Sequence, residues 1–416
     1  MPSIALVDCN NFFVSCERVF NPKLHKKAVV VLSNNDGCIV SRSQEAKDLG
    51  IPMGGPYFQW ADFMQRHAVT CLSANFALYS DLSHRVMQTL IHFNPDLEIY
   101  SIDEAFLQLN DIKDVKEHCF RIREKVMQWV GIPVSIGIAS TKTLAKVANS
   151  RAKKRSALKG VCMPTWEEMQ EILKVLPVQE VWGIGRRLAK MLSSYGIHTA
   201  AQLCAKDDTW IQKQMTVTGL RLVWELRGRP CHVVEEVNEP RQSIMTSRSF
   251  ATAVFEKEQM QGIIAHFTAR CSEKLRADGT VANWIQIFIM TSPHQEGGYS
   301  NYAQLNFPES TDDTPTLLDF AGKALDAIFR PGYPYKRAGV IVGDCVEKGA
   351  RQLDLFMPHH ALREEKKEAL MQLMDKTNET FGYPILRLAA EQKVHTKKQK
   401  RSPCFTTNWD SILTIK

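Results

Sequence analysis

No apolar run reaches the roughly 18 residues that a membrane-spanning helix needs, although hydrophobic residues make up 44% of the 416-residue chain. The opening "MPSIALVDCN" lacks the basic end and apolar centre of a signal peptide. These two absences exclude a membrane partner and predict a cytoplasmic protein. The 11 cysteines stand singly, with no C-x-x-C among them, which argues against a disulfide framework or a zinc site and for buried thiols in a reducing compartment. Repeats of solenoid length are missing too. Acidic residues are the minority charge, 45 against 52 Lys and Arg, and the net charge of +7 suits an anionic partner such as nucleic acid. A chain of this length holds roughly two to four domains with well-packed cores.

Cations are also locally absent where they are most needed. In "YSIDEAFLQL", residues 100–109, Asp103 and Glu104 sit side by side between apolar strand-like runs, and no Lys or Arg stands between Arg85 and Lys113. On one continuous strand the two side chains would point to opposite faces, leaving one carboxylate in the core without a partner. A hairpin bending at "SIDE" lets both reach one spot at the sheet edge. Asp8, at the end of an apolar strand over residues 3–10, offers a third carboxylate. Two such charges about 4 Å apart repel by roughly 4 kcal/mol at an effective dielectric near 20. A convergent trio therefore calls for a divalent metal, and hard oxygen donors that are few in number favour Mg²⁺, with room for two ions.

Around these acids the chain alternates strands and helices. "KAVVVLS" (27–33) reads as a strand, "NNDGCIV" as a turn, and "SRSQEAKDLG" as a short helix closed by Gly50. "GIPVSIGIAS" (131–140) is a further strand. The helix in "TKTLAKVANSRAKK" has Leu144, Val147 and Ala148 on one face, while Lys142, Lys146, Arg151, Lys153 and Lys154 read as a solvated face. In "VWGIGRRLAKMLSSYG" a Gly-x-Gly bend, Gly183 and Gly185, precedes Arg186 and a helix with Leu188, Met191, Leu192 and Tyr195 at core spacing. Free N–H groups at such a helix start form an anion site, as in a helix-hairpin-helix that grips a phosphate backbone. Residues 241–345 follow strand, helix, strand, strand, helix, strand, the split β-α-β pattern, with a basic bias that includes Arg248.

"DCNNFFVSCE" (8–17), "YSIDEAF" (100–106), "GIASTKTLAKVAN" (137–149), the "GIG" hairpin and the final β-α-β-β-α-β module resemble, in order and spacing, the Y-family DNA polymerases. "VVVLSNNDGCIVSRSQEAKDLGI" and "VWGIGRRL" are most similar to the UmuC type, the catalytic subunit of bacterial DNA polymerase V. The resemblance covers about 345 residues and implies an α+β multidomain right-hand polymerase. Its expected parts are a ferredoxin-like palm (1–10 and 79–165), small fingers (11–78), a helical thumb with a helix-hairpin-helix (166–235), a little finger (241–345) and a C-terminal tail (346–416). It further implies Asp8, Asp103, Glu104 and the Cys9 carbonyl as ligands of two Mg²⁺ ions, Phe13 beneath the incoming sugar, and Gln44, Lys47 and Lys153 at the triphosphate. Phe13 replaces a Tyr of many relatives, and Gln44 replaces a phosphate-binding Tyr.

"QLDLF" after the last strand resembles the peptide that docks bacterial polymerases on the β sliding clamp, with Gln352, Leu353, Leu355 and Phe356 as contacts. The implied function is error-prone translesion synthesis in the SOS response to DNA damage, on primer-template DNA with deoxynucleoside triphosphates. A UmuD′-type dimer and a RecA-type recombinase are the further implied partners. The four expected domains leave roughly 70 residues, too few for an exonuclease of usual size, so no proofreading is expected. Two readings compete: a non-catalytic DNA- and clamp-binding factor, which would not need three acids, and another two-metal enzyme such as a nucleotide cyclase, which would not need the hairpin thumb or basic last domain.

Overall fold

The computed structural model describes residues 3–234, 240–293, 297–350, 361–381, 385–392 and 400–411. It divides into two compact units, Met1–Asn238 with Gln399–Lys416, and Glu239–Lys398. The stretch expected as one C-terminal tail is thereby shared between them. The clamp-like peptide Gln352–Phe356 lies outside the described residues.

The first unit starts with β1 (Ile4–Cys9), α1 (Phe12–Phe20), β2 (Val29–Leu32), β3 (Ile39–Arg42), α2 (Gln44–Asp48), α3 (Tyr57–Arg66) and β4 (Thr70–Ser73). It continues with α4 (Phe76–Phe93), β5 (Leu97–Ile99), β6 (Glu104–Gln108), α5 (Val115–Val130), β7 (Val134–Ala139), α6 (Lys142–Lys154) and β8 (Val161–Cys162). The helices α7 (Trp166–Val175), α8 (Arg186–Ser194), α9 (Ala200–Cys204) and α10 (Asp208–Leu226) follow. Strands pair in the orders β5-β6-β1-β7-β8 and β3-β2-β4. "NNDGCIV" is a turn only in its first half, where Asn35 and Asp36 take positive φ; its apolar end is already β3, paired with β2.

Central β1 is buried along its whole length because helices cover both faces of its sheet. Ala5, Val7 and Cys9 point into a core shared with α1, α4 and α5. By the two-residue alternation of a strand, Ile4, Leu6 and Asp8 point the other way, and Ile4 and Leu6 pack there with Phe106 and with Ala145 of α6. Gly137 of β7 makes this layer possible. A Cβ there would lie 2.1 Å from the Asn149 nitrogen and 2.3 Å from the Ala145 oxygen, so the α6 backbone rests directly on the strand. Asn149 locks the contact by donating from Nδ2 to the carbonyls of Leu6 (3.2 Å) and Ser135 (2.7 Å).

The start of α6 is tied to α10 by Glu225, which is fully buried. Its carboxylate accepts from Thr143 N and Oγ1 (2.9 and 2.8 Å) and from the amides of Cys231 and His232 (3.1 and 3.0 Å). On α8, Leu192 is buried as expected, but Tyr195 is 50% exposed; it sits at the helix end with its ring edge-on to Trp210.

The second unit contains β9 (Ser243–Val254), α11 (Lys257–Ala277), β10 (Thr280–Met290), β11 (Ser300–Thr311), α12 (Thr314–Ile328), β12 (Tyr335–Gly343), β13 (Val346–Glu347) and α13 (Ala361–Thr380). Its main sheet runs β11-β10-β12-β9 with all neighbours antiparallel. Helix α11 thus returns the chain to β10 with β12 lying between, the split β-α-β expected from the element order. Arg276 of α11 holds α13 through a two-point pair with Asp375 (2.6 and 2.9 Å).

Because backbone atoms occupy the space beside Gly137, Gly137→Ala should cost about 3 kcal/mol through displacement of α6, read as a lower urea midpoint in the full chain. An unchanged midpoint contradicts the close approach.

Candidate active site

Asp8 and Glu104 are direct cross-strand partners at the ends of β1 and β6, so their side chains leave the sheet together on the α6 face. The bend before Glu104 is built by Ser101. Its hydroxyl accepts from the amides of Asp103 (3.2 Å) and Glu104 (3.1 Å) and donates to Asp103 Oδ1 (2.7 Å). The Cys9 amide donates to the Asp103 carbonyl (2.9 Å), which pins the bend to the end of β1. The structure therefore brings Asp8 and Glu104 side by side, with Asp103 joined through its backbone and its carboxylate turned to Ser101. Among the described residues no three His, Cys, Asp or Glu side chains gather as a metal-holding group.

Positive charge comes from α6. Residues 142, 146, 149 and 153 recur at helical spacing on one face, and that face looks onto the acids. Lys153 Nζ lies 2.6 Å from Asp8 Oδ2, Lys146 Nζ lies 2.9 Å from Glu104 Oε2, and Lys142 pairs with Glu98. Lys142 is only 5% exposed, and Lys146 sits over the rings of Tyr100 (4.4 Å) and Trp182 (5.4 Å). The solvated-face expectation fails for these lysines because a sheet edge of carboxylates needs them. Burial, partly offset by Lys153 and reinforced by the neighbouring Glu104, pushes the Asp8 carboxyl up to about 7. Hard oxygen donors that repel one another and are held by ammonium groups form a donor set that a divalent cation fits.

Phe13 on α1 lies flat against Tyr79 of α4, ring centroids 4.5 Å apart and planes 13° from parallel. Tyr79 is fully buried and donates its hydroxyl to Glu17 Oε1 (2.7 Å). Lys47, Arg42, Lys153 and Asp8 share one electrostatic neighbourhood: partial burial first, then the charges of Arg42 and Lys153, lower the Lys47 ammonium from its usual value. Arg42 gives one nitrogen to the Ile51 carbonyl, and its Nε is buried without a partner among the described residues. Gln44 is exposed and donates to Asp48 Oδ1 (2.8 Å), so it is the expected triphosphate residue least committed to this cluster.

Residues 7–150 match the impB/mucB/samB family and residues 241–355 its C-terminal domain. Protein UmuC of Salmonella typhimurium is 40% identical over 99% of this chain and 100% of its own length. Protein MucB of Escherichia coli is 37% identical over 98% of each. The chain belongs to the UmuC/ImpB/MucB type of the Y-family DNA polymerases. Its activity class is accordingly translesion DNA synthesis associated with the SOS response. A solved Y-family DNA polymerase chimera aligns with TM-score 0.67 at 22% identity, over 83% of this chain and 99% of that one. DinB from Sulfolobus solfataricus aligns with TM-score 0.54 at 21% identity, over the same shares. Both share the right-hand fold of palm, fingers, thumb and little finger. Residues 368–415 match a domain of unknown function. Among the described residues no helix of this polymerase is long and apolar enough to cross a membrane.

The remaining expected contacts fall in separate places. Gly183 takes φ +85°, which an L side chain rarely adopts, and Gly185 has open space beside it; together they leave the start of α8 exposed next to Arg186. Arg248 is half-buried on β9 of the second unit, paired in register with Ala338. Sequence reasoning missed Arg42, Tyr79 and the pairing roles of Lys142 and Lys146. The 142-146-153 spacing was a usable signal for the lysines, whereas Arg42 and Tyr79 carry no local mark.

The folded chain keeps the Asp8 proton up to about 7, against an ordinary value of 3.8, so it binds more protons than the unfolded chain between those limits. Stability from this group is thus lost as pH rises from about 4 to about 7. In chelator, wild type should lose roughly 1–3 kcal/mol more than Asp8→Asn between pH 4.5 and 7.5, measured by urea unfolding. Parallel pH profiles for the two proteins would contradict this.

Proposed function

We propose that the Asp8–Glu104 edge is the nucleotidyl-transfer centre of the polymerase, and the observation that supports it is the cross-strand pair of a buried Asp8 and a half-buried Glu104, faced by the lysine row of α6. Asp8, Asp103, Glu104 and the Cys9 carbonyl would hold two Mg²⁺ ions, whose chemistry is to activate the primer hydroxyl and to stabilise the leaving pyrophosphate. The chain's own residues bind and orient. Lys47, Lys153 and Arg42 form the positive cluster that receives the triphosphate, and Gln44 stands at its exposed rim. Phe13, stiffened by the Tyr79 ring behind it, occupies the floor under the sugar and excludes a 2′-hydroxyl by volume. The amides after Gly183 and Gly185, with Arg186, hold a DNA phosphate without reading its base, and Arg248 adds a contact from the little finger.

The partners follow the same reading: primer-template DNA, deoxynucleoside triphosphates, the β sliding clamp through Gln352, Leu353, Leu355 and Phe356, a UmuD′-type dimer and a RecA-type recombinase. Synthesis proceeds in a cytoplasmic setting.

Replacing Asp103 by Asn and Glu104 by Gln together keeps shape and removes charge, so primer extension with Mg²⁺ should fall by several orders of magnitude while DNA affinity stays nearly intact. Extension within tenfold of wild type would remove the assignment. For the clamp, Leu355→Ala with Phe356→Ala should cost about 2 kcal/mol or more per anchor in clamp affinity and leave distributive synthesis unchanged; equal clamp affinity would exclude the peptide.

A further inference from the structure

Residues 400–405 return to the first unit beside β4 and α1. Ser73, at the outer end of edge strand β4, pairs in parallel with Arg401, donating its amide to the Lys400 carbonyl (3.0 Å) and accepting the Lys400 amide on its hydroxyl (3.1 Å). Residues 400–401 thereby cover the open edge of the β3-β2-β4 sheet. Phe405 is 8% exposed and lies in the same core as β1, α1 and α4. Its ring stacks on Phe20 at 4.9 Å and 6°.

Two buried polar side chains of the first unit are satisfied by this segment. Asn75, 1% exposed, precedes α4 without capping it. Its amide instead donates to Ser402 Oγ (2.9 Å) and to the Pro403 carbonyl (3.1 Å), and its oxygen accepts from Arg401 (3.0 and 3.3 Å). Glu17, also 1% exposed, accepts from Ser402 Oγ (3.1 Å) on the same Oε1 that takes the Tyr79 hydroxyl. Phe13, Glu17 and Phe20 recur at helical spacing along one face of α1. The segment grips the latter two, and Tyr79 spans from Glu17 to the face of Phe13.

We propose that residues 400–405 are a positioning strap for sugar selection: through Ser402, Glu17 and Tyr79 they fix the Phe13 ring at the height that rejects a 2′-hydroxyl. The inference rests on the reading of Phe13 as the floor under the sugar. It gives the end of the domain of unknown function a task inside the polymerase unit. Ser402 touches no substrate and acts by orienting Glu17, and Glu17 by orienting Tyr79.

The test uses the full-length chain and the ratio of kcat/KM for ribonucleotide to that for deoxynucleotide, which a general loss of stability leaves unmoved. Phe13→Ala should raise the ratio roughly ten- to a thousandfold. Ser402→Ala should raise it about three- to tenfold, and Ser402→Thr, which keeps the hydroxyl, should stay within about twofold of wild type. Amide hydrogen exchange in residues 70–82 should quicken in Ser402→Ala and not in Ser402→Thr. A wild-type ratio in Ser402→Ala, with a raised one in Phe13→Ala, overturns the strap and leaves the reading of Phe13 standing. A ratio unmoved in both overturns that reading and the strap with it. Unchanged exchange in Ser402→Ala shows that the Ser402 hydroxyl does not hold this region in place, which also overturns the inference.

Discussion

The seating of α6 on β7 at Gly137 is the contact on which the rest of the five-stranded sheet depends. A side chain at that point meets the helix backbone, so only glycine lets α6 lie low enough for Asn149 to bond the β1 and β7 carbonyls. Once α6 is seated, its row of cationic side chains falls along the line of acids presented by β5, β6 and β1. Glu225 of α10 then fixes the start of the helix, which couples the position of the lysines to the packing of α10. One backbone contact in this way sets the geometry of charge several strands away.

That geometry explains how a nearly buried acid pair is tolerated. Asp8 is 8% exposed, and its burial, with Glu104 beside it, pushes its carboxyl up to about 7. The lysines lower this cost without removing it, because Lys153 remains over a third exposed and is screened by water. An edge built this way is a poor stabilising element, and under the proposed reading it gives up stability in order to receive divalent cations and phosphate. The same logic applies to Arg42, whose buried Nε has no partner among the described residues.

Much of this was legible in the sequence. Asp103 and Glu104 between apolar runs, in a stretch empty of Lys and Arg, forced a hairpin at "SIDE", and the bend built by Ser101 has that shape. The split β-α-β of the second unit followed from the order of its periodic segments. Lys142 and Lys146 were misread because helical periodicity reports which residues share a face and says nothing about what that face meets. Tyr195 was placed in the core by its spacing, although it lies at the end of its helix, where the layer below has run out. Contacts between residues far apart in the chain left no local signature at all. Ser73 with Arg401, and Phe20 with Phe405, become neighbours only through the fold.

Mg²⁺-dependent stability tests the central claim, that the acids beneath α6 are the metal centre of this polymerase, without relying on activity. A ligand that binds the native state alone raises stability by RT ln(1 + [L]/Kd). Thermal unfolding of the full chain in millimolar Mg²⁺ should show a higher midpoint than in chelator, and that increment should vanish when Asp8→Asn and Glu104→Gln are combined. An equal increment in wild type and double variant would contradict the account, since the ion would then be binding elsewhere.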